Sequence, residues 1–513
     1  MKKAYQYILV ITLAITFMSC DTFLEEPPSK SAAVAPKTLS DYEALLNNYQ
    51  DYIDETPLPL VYGTDDYELS TTLFDGFFRA YGSQETTFGT WNTELGAFER
   101  IFATGWPEEW QKVFNANLIL DNIGGVPDAT DEEKANLIAE AHFIRAYSYF
   151  VLANIYCLPY TETNKAELGL PIRVSTTFSE NLERATLEET YALIESDLMN
   201  AFQITRSFGQ ENGLNYSWRA STAAVNGFAA RFYLALNDYI KAQEYAQAAL
   251  DEYDVLRNYN TDMRFSDIPA FAFILNPGPT QIEIFYPYTH DQRGDIVQDR
   301  FEFGESYYFR QLNNRKWNTF PSQDLLSLYD QTNDLRYKFH VVEDYSYTIG
   351  AFRPPFSYPG YIFFHRGHIP NGPSVPEMLL IKAECQARQG MWAEGLGTVN
   401  ILRAARMDVS APASAINLSA VSQTEAVTKI LEERRREMPF VHRWYDVRRY
   451  NNNSDPSDDV IMTRTFYPFT ANAILSDQAP VTTTLDKNSR KFAFPIPDQE
   501  IVISNGALEQ NKY

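Results

Sequence analysis

Apolar residues recur at spacings of three and four along much of the chain, the period of a helix with one buried face. Trp106, Trp110, Val113, Phe114, Asn117, Leu118 and Asp121 share such a stripe, predicting a helix over 106–123. A second opens on Thr130 and Glu133, a capping box, and carries Ile138, Ala141, Arg145, Tyr149, Leu152 and Tyr156 until Pro159 stops it. A third has the same box at Thr186 and Glu189, with Tyr191, Ile194, Leu198 and Phe202 beneath. Nearer the N-terminus, Thr38-Leu39-Ser40-Asp41 reads as a helix start, followed by Tyr42, Leu45 and Leu46 on one face. These are packed helices, not a sheet.

Two distant segments share one plan. Ala229 to Ala242 and Ala383 to Gly395 each run a small-residue helix into a polar turn, then an aromatic or apolar residue and another alanine-bearing helix. Small side chains let antiparallel helices approach closely, so both read as tetratricopeptide-like hairpins. Gly395 and Gly397 lie inside the second hairpin and are assigned to close packing. Between the hairpins, roughly 258–376, periodicity fades into aromatics, Pro, Gly and Asn, with Gln281 to Tyr286 and Tyr361 to His365 as candidate short strands. A long irregular region in a helical body is where binding surface usually sits. The expected fold is mainly α: one helical body over 38–513 with an irregular ligand-facing region containing a few short strands.

The N-terminus has a different pattern. Lys2 and Lys3 precede an apolar run from Tyr7 to Met18, then Ser19 and Cys20. The run is shorter than the roughly 20 residues that span a bilayer. It reads as an export signal over 1–19, with Phe17-Met18-Ser19-Cys20 as a lipobox and Cys20 as the lipidated residue. Residues 20–37, with Glu25, Glu26, Pro27 and Pro28, read as a tether.

Composition narrows the function classes. Lys and Arg total 43 against 67 Asp and Glu, a net charge of −24, which argues against a nucleic-acid partner. Cys157 and Cys385 both sit in helical patterns and read as small buried residues, with no cysteine framework for zinc. The 34 Phe and 33 Tyr outnumber the 23 Gly, an aromatic excess suited to stacking flat, partly apolar ligands such as sugar rings.

Motifs for chemistry are scarce. There is no phosphate-cradling Gly-Lys-Ser/Thr loop, dinucleotide glycine fingerprint or Gly-x-Ser-x-Gly elbow. His365 and His368 lack an identifiable third ligand, and Arg366 stands between them, so no metal and no cofactor are expected. The densest signature is C-terminal: a helix capped by Ser422 and Glu425 runs through Glu433-Arg434-Arg435-Arg436-Glu437, breaks at Met438-Pro439, and is followed by Arg443-Trp444-Tyr445-Asp446-Val447-Arg448. Its alternating charges suggest an ion-pair network around a buried Trp444, a scaffold and not a catalytic site.

That signature, with Phe494-Pro495-Ile496-Pro497, Glu500 and the terminal Gln510-Asn511-Lys512-Tyr513, resembles the SusD/RagB family of outer-membrane nutrient-uptake lipoproteins. The resemblance extends to Trp106 through Asn117, Ala139 through Tyr149, both hairpins and the lipoprotein start. Val441-His442 stands where family members often have Glu-Gly before the Arg-Trp, and Pro439 marks a distinct branch. The resemblance implies a non-catalytic protein, lipid-anchored on the outer face of the outer membrane. Such a protein captures oligosaccharide, or peptide in RagB-like members, for a SusC-like TonB-dependent transporter. A secreted helical glycosidase is the alternative from another class, since a carboxylate pair is always available among so many acids.

For the ligand site, Trp91-Asn92 lies in a Gly- and Thr-rich loop, a region that often supplies a stacking aromatic and an amide in the family. Tyr307, Tyr308 and Trp317 lie in the irregular region, with Asn313, Asn314 and Arg315 as hydroxyl partners. Trp110, Trp392 and Trp444 are assigned to the core.

Overall fold

The computed structural model describes residues 36–55, 58–76, 81–94, 105–177, 182–211, 214–215, 217–265, 270–274, 280–284, 287–288, 304–313, 319–343, 358–361 and 368–513. The expected export signal, Cys20 and most of the expected tether lie outside them, as do Asn314, Arg315, Trp317 and His365.

Helices start where the caps place them. Thr38 precedes α1 (Leu39–Asn47), its hydroxyl accepting from Asp41 N while the Asp41 carboxylate accepts from Thr38 N. α2 (Trp106–Asn122) starts after Gly105, whose φ of 79° only glycine adopts readily. The boxes at Thr130 and Thr186 open α3 (Asp131–Tyr156) and α4 (Leu187–Ala201), with reciprocal bonds to Glu133 and Glu189. α3 is enclosed on all sides over its C-terminal half, which explains why its sequence there is apolar around the whole circumference.

The two hairpins form as their plan implies. α5 (Thr222–Ala235) turns into α6 (Tyr239–Glu252) through Asn237 at φ 58°, and α7 (Val375–Arg388) into α8 (Trp392–Arg406) through Gly390 at φ 89°. α6 packs on α7, so the hairpins stack although more than a hundred residues separate them in sequence; α9 (Gln423–Glu437) then closes over α7 and α8. A Cβ on Gly395 would lie 2.6 Å from the Ala383 carbonyl, so the close approach there requires glycine. Gly397 has no neighbour that close and is not a packing residue, contrary to expectation.

The irregular region contains short strands, as expected, and among its described residues three short helices that periodicity did not reveal, Tyr259–Asp262, Gln323–Leu328 and Leu335–His340. Thr280–Ile284 pairs antiparallel with Ala270–Ile274, and Gln311–Asn313 sits between Asp54–Glu55 and His368–Pro370 in a three-stranded sheet. A further hairpin, Met462–Phe466 with Val481–Leu485, follows α10 (Val441–Tyr450).

The C-terminal signature is a buried ion-pair scaffold. Glu433 receives Arg336, Arg403 and Arg436 at 2.7, 2.5 and 2.8 Å. Burial alone would raise its pKa, but the three guanidiniums hold it well below the usual carboxylate range. Arg434 and Arg449 share Asp446, Arg435 reaches Asp66, and Arg443 forks onto Asp65. The Arg434–Asp446 pair joins α9 to α10, and the Arg435 and Arg443 pairs fasten both helices to the N-terminal segment 58–67. Beyond Pro439, Phe440 takes φ 69° and its N–H donates to Asp66, so the break between the helices is itself tied to that segment. At the C-terminus the Gln510 amide pairs with both backbone groups of Ile496, and Asn511 donates to the carbonyls of Tyr156 and Phe494. The terminal Gln-Asn thus locks the Phe-Pro-Ile-Pro segment onto the end of α3.

Candidate ligand-binding face

Trp91 ends a short helix, Ser83–Gly89, and adopts φ 52°, a conformation costly for a bulky residue and held here by its surroundings. Its ring is fully buried, with the indole N–H donating to Gly63 O at 2.9 Å and the Arg464 guanidinium over the ring. Trp91 is therefore core, not a stacking platform. Tyr307 is also buried, its hydroxyl donating to Tyr253 O. Tyr308 packs edge-on to Phe143 at 4.7 Å and accepts from Arg310. Both depart from the expected exposure because the three-stranded sheet draws this stretch under α3 and α5. Asn313 pairs with His368 through the strand ladder. The expected set does not come together as one site: Trp91 lies beside Gly63 and Arg464, Tyr307 and Tyr308 beside α3 and α6.

Asn92 stays half-buried beside Trp91. Its N–H donates to Thr87 O and its side-chain oxygen accepts from Glu94 N, so the positive-φ turn presents Asn92, Thr93 and Glu94 outward. From there the segment 67–92 contributes to a tier of aromatic rings. Tyr81 packs edge-on to Phe320 (6.3 Å) and Phe466 (5.4 Å), Phe320 to Tyr358 (6.1 Å), and Phe74 to Phe466 and Tyr467. Backbone bonds hold the strips together: Glu68 N donates to Phe320 O, and Tyr361 N to Thr319 O.

The outer members of this tier are partly exposed: Phe74, Tyr358 and Tyr467, with Glu68, Asp75 and Gln323 between them. Tyr358 donates to Pro321 O at 3.2 Å, and Glu68 and Gln323 lie within hydrogen-bonding reach of its hydroxyl, whose pKa burial pushes up. Tyr467 donates to Asp75. A flat ring beside carboxylate and amide groups offers stacking and hydroxyl recognition together. Periodicity did not single these residues out; the usable signal was Tyr358-Pro359-Gly360, an aromatic beside two residues that break regular structure. Among the described residues no group of three or more His, Cys, Asp or Glu is placed to hold a metal ion.

Two family models match the chain. One, described as starch-binding associating with outer membrane, covers residues 22–234; the other, described as the SusD family, covers 376–513. The chain belongs to the SusD/RagB family. The two matches leave 235–375 unmatched, a span that contains Tyr307, Tyr308, Phe320 and Tyr358.

Among the SusD-like relatives is SusD-like protein P38 of Formosa agariphila, 22% identical over 487 residues, 87% of this chain and 90% of that one. SusD-like protein P25 of the same organism is 27% identical over 169 residues, and the match spans only 30% of that relative's length. Among solved structures, a SusD superfamily protein from Bacteroides thetaiotaomicron superposes with a TM-score of 0.62 at 19% identity, over 93% of this chain and 100% of that one. A laminarin-binding SusD-like protein superposes with a TM-score of 0.55 at 18% identity, over 93% and 99%. These likenesses bear out the mainly helical SusD-like fold. Among the described residues no helix is long and apolar enough to cross a membrane.

Proposed function

We propose that this SusD-like chain is a non-catalytic surface lipoprotein that captures oligosaccharide and delivers it to a SusC-like TonB-dependent transporter. In this reading Cys20 carries the lipid, residues 20–37 tether the body to the outer face of the outer membrane, and Trp317 and Asn313 serve the ligand together with Asn92 and the aromatic tier at Tyr358. The observation that carries the reading is family membership at both ends of the chain, one end matching a model described as starch-binding. The partly exposed aromatic tier with Glu68 and Gln323 supports it, because it offers a ring face and hydroxyl partners side by side.

Calorimetric titration of the purified full chain in detergent, with a panel of α- and β-gluco-oligosaccharides and with peptide mixtures of matched length, tests it. The expected result is saturable binding of an oligosaccharide with no release of reducing sugar. Binding of peptides alone would replace the glycan with a peptide ligand. Reducing-sugar release abolished by changing a single carboxylate would overturn the non-catalytic reading.

A further inference from the structure

A cleft of about 370 Å³ opens between α2 and the C-terminal helix α11 (Asp498–Ile503), and it shares no residue with the aromatic tier at Tyr358. Trp106 and Trp110, one turn apart on α2, form its floor with ring centroids 5.6 Å apart and planes at 61°. Both are fixed from behind by tyrosines of α3: Tyr156 meets Trp106 edge-on at 4.9 Å, and Tyr149 meets Trp110 at 5.4 Å. The Tyr149 hydroxyl in turn donates to Pro171 O and accepts from Arg173 N, which holds the opposite wall. The cleft is open, with Phe114 36% and Ile503 63% exposed at its rim beside polar neighbours such as Gln111 and Ser504. Such preorganised aromatic walls around a volume of this size are typical of small-molecule sites.

Polar groups on its wall restrict what can occupy it, the Trp110 indole, Glu500 and Arg173 among them. The Trp110 indole N–H is buried and has no hydrogen-bond partner among the described residues, an arrangement that is unfavourable when left unmet. Glu500, on α11, receives a hydrogen bond from the Trp106 side chain, and burial raises its pKa. A cationic amine would satisfy Glu500 but leave the indole N–H unmet and face Arg173 on the cleft wall; an anion would accept from the indole but be repelled by Glu500. A hydroxyl is both donor and acceptor and serves either group. A ring carrying hydroxyls at its edge and C–H groups on its face meets all three demands of the cleft: stacking, an acceptor for Trp110 and a donor for Glu500.

We propose that this cleft is a second carbohydrate site, seating a pyranose ring against Trp110 and Phe114 with Glu500 accepting a hydroxyl. The proposal rests on the oligosaccharide-capture reading, and gives the protein a second contact on a long glycan, raising the effective concentration of the chain at the first.

The test uses the full chain labelled with 5-fluorotryptophan, whose seven tryptophans report separately by fluorine NMR, the Trp110 signal being assigned with Trp110→Phe. Laminaritriose and maltotriose are the probes. A saturable shift of the Trp110 signal is expected with at least one of them. Phe114→Ala and Glu500→Gln should each weaken that titration by about tenfold, while Tyr358→Ala leaves it in place. Glycan binding seen by calorimetry with an unmoved Trp110 signal, or with a shift indifferent to both Phe114→Ala and Glu500→Gln, would overturn the second site and leave the capture reading standing. No binding of any oligosaccharide by either method would overturn both.

Discussion

Trp444 lies over Phe494, ring centroids 5.1 Å apart and planes 29° from parallel, with its indole N–H donating to Asn154 O at 3.0 Å. One side chain thus joins α10, the Phe-Pro-Ile-Pro segment and α3, three elements far apart in sequence. It is fully buried. Trp444→Ala should lower stability by about 3–5 kcal/mol, the usual cost of emptying a large aromatic site. Trp444→Phe should keep much of the stack but leave the Asn154 carbonyl unpaired, costing about 1–3 kcal/mol. Urea unfolding of the two variants checks the order; equal stability in all three proteins would show that the stack contributes nothing.

Acid should loosen the scaffold in a defined window. Burial would raise Glu384 and Glu140, but Arg449 and Arg388 pull Glu384 down to about 2, and Arg219 and Arg206 pull Glu140 to about 2. A carboxylate whose folded pKa lies below its unfolded value of 4.5 stabilises the fold fully above that value. The contribution is lost as pH falls from 4.5 toward 2. It is worth of the order of 3 kcal/mol for each group. Glu384→Gln should be less stable at neutral pH, because Arg449 and Arg388 lose a buried partner, yet lose less of its remaining stability across that window. Denaturant midpoints between pH 6 and pH 3, on the order of the range set by the carboxylate reference values, give the comparison. Parallel pH curves for the two proteins would contradict the assignment.

What was legible in the sequence was whatever local chemistry decides. Thr38, Thr130 and Thr186 mark helix starts because the capping box is a contact between residues three apart, and the hairpin turns at Asn237 and Gly390 are equally local. The charge alternation around Trp444 also pointed to a scaffold, since buried arginines need partners and the acids were nearby. The site was less legible for the opposite reason. Trp91, Tyr307 and Tyr308 lie in loop-like sequence, but their burial is decided by Gly63, Tyr253 and Phe143, residues distant in the chain that no local pattern connects to them. Tyr358 is placed at the surface by Phe320 and Pro321 in the same nonlocal way.

The cysteines give a count that reports on both folding and processing. Cys157 and Cys385 are buried, unpaired with each other, and burial pushes both thiols up. Neither should react with a charged thiol reagent in the native state. After unfolding both should react. If Cys20 carries the proposed lipid through its sulfur, the mature chain exposes only these two thiols; a third reactive thiol would contradict lipidation at Cys20.

Trp91 and Tyr358 separate scaffold from ligand contact. Trp91 is enclosed and hydrogen-bonded to Gly63, so Trp91→Ala should cost about 3–5 kcal/mol of stability by leaving a cavity under Arg464. Where enough Trp91→Phe protein remains folded, its oligosaccharide affinity should stay near that of the unmodified chain. Tyr358 is partly exposed and spends its hydroxyl on Pro321 O beside Glu68 and Gln323. Tyr358→Ala should weaken oligosaccharide binding by about 1–3 kcal/mol, as expected for an aromatic anchor, with a small change in melting temperature. Tyr358→Phe, which keeps the ring and removes the hydroxyl, should retain most of the affinity if stacking is the main contribution. A loss confined to Trp91→Phe, with Tyr358→Ala binding normally, would move the ligand away from the aromatic tier.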